Sequence, residues 1–175
     1  MRPHSWLLTL LTSTLLSGCV VVPMNRTYYE PNAADGTPIR SSSCGWNATS
    51  RDALERDVAG VTVSVYPTYE PGRPLRIYIL LSRSDKTVEI VQENVEIKVG
   101  DGPQKYRPTA VKIKDAGPYF FKSIDYEFPI ADSASEIAVV FSTGFIKVNG
   151  HDMEILPFRF NRVTKSDVFY GSINC

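Results

Sequence analysis

Histidine is nearly absent from this chain of 175 residues, which has two, His4 and His151. A Ser-His-Asp or Cys-His arrangement would have to be built around one of them. No serine sits in a Gly-x-Ser-x-Gly context or three residues before a lysine, so the serine-hydrolase and penicillin-binding signatures are missing. Charge of one sign is lacking too. The 19 basic and 19 acidic side chains cancel and the basic ones do not cluster, which excludes the footprint of a nucleic-acid binder. Lys112 and Lys114 alternate with Val111 and Ile113, the pattern of a strand's wet face. Cysteine is sparse, at 19, 44 and 175, and Cys44-Gly45-Trp46 has no second thiol at redox spacing. No helix of ordinary length is expected after residue 60.

What the chain does have is an apolar run from Trp6 to Leu16, preceded by Arg2 and followed by Ser17-Gly18-Cys19. Leu16-Ser17-Gly18-Cys19 resembles the lipobox of bacterial lipoproteins. The resemblance covers about the first twenty residues and implies that Cys19 becomes a diacylglyceryl thioether, that cleavage precedes it, and that its new amino group is acylated. Val rather than Asp at position 20 implies, by similarity to enterobacterial sorting, the outer membrane. An ordinary signal peptide shares the apolar core but does not need the cysteine. A transmembrane anchor is disfavoured because Thr9, Thr12, Ser13 and Thr14 interrupt a run that falls short of about 20 residues unless Val20 to Val22 are added. At about 0.8 kcal/mol per buried methylene, three acyl chains hold a protein essentially permanently.

With Cys19 assigned to lipid, residues 1–18 are a signal peptide and the remaining cysteines form an even pair. In an oxidising compartment Cys44 and Cys175 read as a disulfide. It would close a loop of about 130 residues, for which chain entropy gives roughly 4 to 5 kcal/mol before native strain is subtracted. Residues 19–43, with Pro23, Pro31, Pro38, Asp35-Gly36 and Ser41 to Ser43, have the composition of a flexible linker in which Tyr28-Tyr29 is the one sticky spot. The folded domain is then expected over 44–175.

Thr49 followed by Asp52 resembles a capping box opening a short helix that Gly60 would end. Beyond it the period becomes two. Val61, Val63 and Val65; Val95, Ile97 and Val99; Ile137, Val139 and Phe141 each alternate with polar or smaller neighbours. Leu75 to Leu81 and Tyr119 to Phe128 are richer, as central strands would be. Asn149-Gly150 between two apolar runs is the strongest hairpin signal. About eight strands are expected, near 60–66, 74–82, 86–91, 94–99, 106–114, 118–128, 135–142 and 145–162, the last containing a hairpin. The fold class is all-β: an antiparallel β-sandwich, with immunoglobulin-like topology favoured and a small up-and-down barrel as the alternative.

Chemistry finds little to use. His151, Asp152 and Glu154 offer metal-like atoms, but successive strand residues point to opposite faces. Asp85, Asp101, Asp115 and Asp132 fall at loops, where turn formation accounts for them without calcium. Asp125 and Glu127 share a strand face, yet a glycosidase pair also needs a deep cleft. No metal, cofactor or catalytic residue is assigned. Tyr66, Tyr69, Tyr78, Tyr106, Tyr119 and Tyr126 supply rings with hydroxyl handles, expected at the core boundary, and Phe158, Phe160 and Phe169 are expected to pack inward. The reading is a non-enzymatic, outer-membrane-anchored lipoprotein, on the periplasmic face, that binds an envelope protein or polymer. A carbohydrate- or ligand-binding module is the alternative, and a carboxylate-based glycan hydrolase ranks behind it.

Overall fold

Alternation of apolar and polar residues becomes strand after strand in the computed structural model, which describes residues 20–41, 46–82, 85–91, 94–115, 120–130 and 134–171. The strands are β1 (Val20–Pro31), β2 (Thr37–Ile39), β3 (Trp46–Ala48), β4 (Ala53–Val58), β5 (Val61–Thr68), β6 (Leu75–Ser82), β7 (Val88–Ile90) and β8 (Val95–Val99). Then follow β9 (Lys105–Tyr106), β10 (Ala110–Asp115), β11 (Phe120–Phe128), β12 (Glu136–Phe141), β13 (Ile146–Val148), β14 (His151–Met153) and β15 (Phe158–Gly171). The helical element among the described residues is one 3-10 turn, Ala33–Asp35. None of the described residues forms a helix long and apolar enough to cross a membrane.

The protein is all-β and antiparallel. One six-stranded sheet runs β1-β15-β12-β8-β9, with β3 also paired to β15. A second runs β10-β11-β6-β5-β4-β2, and β14-β13-β7 forms a third, small sheet. Alternate residues of both large sheets meet in one core, Ile97, Ile137, Val139, Phe158 and Phe160 from the first and Val63, Ile77, Ile79, Ile124 and Phe128 from the second. This is the arrangement of a sandwich, and among the described strands the sheets do not close into the alternative barrel. Each such side chain contributes about 1.5–3 kcal/mol by leaving water. β6 sits centrally, as expected, but it alternates buried and wet residues along its length. Asn149 and Gly150 both have positive φ, at 52° and 81°, as a type I′ hairpin turn requires.

Two expectations are corrected. Of the expected linker over 19–43, the described residues 20–41 belong to the fold: β1 pairs with β15 without a break from Val20↔Gly171 to Pro31↔Phe160. Tyr28 and Tyr29 are buried, and the Tyr29 hydroxyl donates to the Ala134 carbonyl at 3.2 Å. Pro23 and Pro31 are compatible with this because β1 is an edge strand, where a missing N–H costs no ladder bond. The capped helix over 49–56 is likewise absent. Ala53–Val58 is β4, and Ala59-Gly60 is its hairpin turn into β5, with φ of 54° and 82°. The helix propensity of Ala53, Leu54, Glu55 and Arg56 is overridden by pairing on both sides and by burial of Ala53, Leu54 and Val58.

Candidate functional site

Cys19, Cys44 and Cys175 lie outside the described residues, but the register locates the residues beside them. Gly171, near the end of β15, is opposite Val20 on one side and Trp46 on the other. Neighbouring strands are about 4.8 Å apart, so the chain enters β1, enters β3 and leaves β15 at one end of a three-stranded ribbon. A single polar cluster ties this ribbon to the body. Asp167 of β15 is 2% exposed. It accepts at Oδ1 from Thr49 N (3.0 Å), Thr49 Oγ1 (2.7 Å), Ser50 N (3.1 Å) and Val168 N (2.8 Å). Burial by itself would raise its pKa, but the bonds from Thr49, Val168 and Ser50 outweigh that and lower it to about 2. Arg26 faces Asp167 Oδ2 at 3.4 Å and pairs with Asp52, which also accepts from Ser41 N and Oγ at 2.7 and 2.6 Å. Thr49 and Asp52, expected as helix caps, are thus the joints of this cluster.

A second clamp holds the other end of β15. Asp35 accepts from Arg159 N, Nε and Nη2 at 3.0, 2.8 and 2.6 Å, and the Arg159 side-chain bond is the main reason its pKa is lowered. Arg56 donates to the Leu156 carbonyl at 2.6 Å and lies over the Phe158 ring at 4.4 Å.

Comparison with family models, with curated proteins and with solved structures finds no match. Function must therefore be argued from the surface itself. His151 is an exposed residue that opens β14 after the hairpin turn; Asp152 and Glu154 are exposed beside it. Among the described residues no three His, Cys, Asp or Glu side chains are grouped to hold a metal. Asp125 and Glu127 lie on the outer face of the second sheet, in a depression of about 360 Å³ shared with Glu70, Arg73, Arg76 and Lys112. Asp125 is paired with Arg76. Tyr66 and Tyr78 pair across strands on that sheet with ring centroids 6.0 Å apart, making two rings rather than a row. Tyr126 is fully buried, not at the core boundary, while Phe158 and Phe160 pack inward as expected. Phe169 is half-buried, with Arg26 at 5.8 Å from its centroid, and Tyr119 lies outside the described residues.

A larger recess, about 590 Å³, opens between the two sheets. Val95, Val111, Val140 and Phe141 line it, and Glu96, Lys105 and Arg107 form its rim. Glu96 bonds Lys105 at 2.8 Å and faces Arg107 at 3.7 Å, and the Lys105 bond foremost lowers its pKa. Strand pairing leaves this opening because β9 covers β8 only at Ile97 and Lys98, so Val95 and Glu96 have no strand on that side among the described residues. Asn94, Ser142 and Thr143 complete a lining that mixes polar and apolar side chains, and its volume falls in the range of ligand sites. Sequence reasoning missed it because its residues come from β8, β10 and the ends of β9 and β12. The pairings Val95↔Phe141 and Val139↔Phe158 put the recess at the end where β15 begins. The ribbon end is where the 14-residue β15 finishes, roughly 43 Å away at about 3.3 Å per residue.

Proposed function

We propose that this protein is a non-enzymatic lipoprotein of the bacterial outer membrane, anchored through Cys19 on the periplasmic face, that binds an envelope protein or polymer at the recess between its sheets. The observation that carries this reading is polarity along the first sheet: the strand that follows the candidate lipid site starts at one end, and the recess opens at the other. A disulfide between Cys44 and Cys175 belongs to the same proposal, supported by the direct opposition of Trp46 and Gly171. A carbohydrate-binding role is the second reading, favoured by the Tyr66–Tyr78 pair beside the charged depression on the second sheet.

The experiment follows anchor and binding together. Cys19→Ala should abolish incorporation of labelled fatty acid and correct processing; normal maturation to a soluble form would show an ordinary signal peptide. In intact envelopes a photoreactive residue at 107 or 111 should crosslink a partner, whereas one at 78 should not. Crosslinks from 78 alone would favour the second reading. Turnover of peptidoglycan or another envelope glycan by the purified protein, abolished by Asp125→Asn or Glu127→Gln, would overturn both in favour of an enzyme.

A further inference from the structure

The end of the β1–β15–β3 ribbon is unusual in what its surface omits. Val20–Asn25, Trp46–Ala48 and Val168–Gly171 include no ionisable side chain except Tyr170. Val21, Val22 and Met24 are 60%, 39% and 47% exposed, and Phe169 and Tyr170 are half-buried. Val21 points to one face of the ribbon, and Val22 and Met24 to the other. Scattered apolar residues on a protein surface are ordinary. With Pro23 they form one run, cover both faces of one strand end, and give way at Met24, whose cross-strand partner is Asp167, to the Arg26, Asp52 and Asp167 cluster.

The occupant of such a surface follows from the chain's path. This inference rests on the lipid-anchor reading: if Cys19 carries acyl chains at the membrane surface, Val20 is its immediate neighbour. At about 3.3–3.6 Å per residue, Val22 is at most roughly 11 Å from the Cys19 backbone. The headgroup zone outside the hydrocarbon core is about 5–7 Å deep on each side, so β1 begins inside or against it. We propose that this end of the ribbon is seated in the membrane's headgroup layer, with Val21 and Val22, and Tyr170 and Phe169 opposite them, toward the upper acyl carbons, and with Met24, opposite Asp167, at the polar boundary. Two features stop it from going deeper. The outer edge of β1 has no partner strand among the described residues, and its N–H and C=O groups would find no hydrogen bond in hydrocarbon. The ionised cluster begins level with Met24, at its cross-strand partner Asp167, and continues through Arg26, so it stays in water. Tyrosine rings suit the interface because one end is apolar and the other wet.

Trp46 provides a native probe, being the single tryptophan that remains once Trp6 leaves with the signal peptide. The lipidated protein is reconstituted into vesicles of phosphatidylethanolamine and phosphatidylglycerol containing phosphatidylcholine brominated on the upper acyl carbons. Trp46 emission should shift to the blue and lose intensity to bromine. That quenching should disappear in Val21→Glu/Met24→Glu protein that still floats with the vesicles. A second probe, Val22→Trp in a Trp46→Phe background, should be quenched at least as strongly. Protein that floats with both probes unquenched overturns the seating and leaves the anchor standing. Protein that does not float overturns the anchor and the seating with it.

Discussion

Asp167 should act as an acid-sensitive joint between the ribbon and the body. Its carboxyl titrates at 3.8 when unperturbed and at about 2 in the fold. That difference is worth roughly 2 kcal/mol of stability at neutral pH. Because the folded value is the lower one, the unfolded chain takes up the proton first as pH falls. The contribution is therefore complete above about pH 5, is lost mainly between about pH 4 and 2, and is gone below that. Asp167→Asn keeps Oδ1 as a neutral acceptor for Thr49, Ser50 and Val168 but turns an amide NH2 toward Arg26, donor against donor. At pH 7 the variant should be less stable by about 2 kcal/mol, which for a domain of this size lowers Tm by roughly 4–8 °C. The assay is urea and thermal unfolding of both proteins from pH 7 to pH 2. Asp35, Glu96 and Asp115 also have lowered pKa values, but they are common to both proteins and cancel in the difference. The gap should close as pH approaches 2. A gap that stays constant over the whole range would mean that Asn perturbs packing and that the charge of Asp167 contributes nothing.

Two further outcomes concern the same frame. In Gly36→Ala the new Cβ would fall 2.5 Å from the Glu55 backbone oxygen and 3.4 Å from Leu54 Cγ, so β2 must part from β4; a loss of about 1–3 kcal/mol is expected in urea unfolding. Gly102→Ala, whose nearest neighbour is 3.8 Å away, should be close to neutral, and equal losses would refute the steric argument. Non-reducing mass spectrometry of protein from the periplasm should find Cys44 and Cys175 in one crosslinked peptide, and two alkylatable thiols would sink the disulfide.

Period two carried most of the fold. Every strand from β5 to β14 falls in or beside a segment where alternation or a turn pair is visible, and Asn149-Gly150 located its hairpin to the residue. The misreadings cluster at β1 and β4 for one physical reason. Proline and turn residues describe a linker only when nothing pairs with them, and pairing with β15, more than a hundred residues away, is not a local property. Tyr28-Tyr29 was the visible sign that this segment is packed. β15 itself was expected to end near 162, because Asn161 to Ser166 are polar apart from Val163; Thr164, Lys165 and Ser166 are exposed in succession on both faces of the ribbon, which alternation cannot reveal. The recess was illegible for a similar reason, since a gap between two sheets belongs to no single stretch of sequence.

The 12-residue pairing of β1 with β15 also sets the mechanics of any attachment made through it. A coil of the same length would wander, with a root-mean-square reach of roughly 20 Å, and would let its cargo search a hemisphere. A hydrogen-bonded ribbon behaves as a spacer of set length. If the recess is the binding site proposed above, a partner fixed at the matching height would meet it at high effective concentration, and one a nanometre above or below would meet almost none. Load on the recess would be carried as shear along a ladder of backbone hydrogen bonds, so the anchor and the cargo would move as one piece.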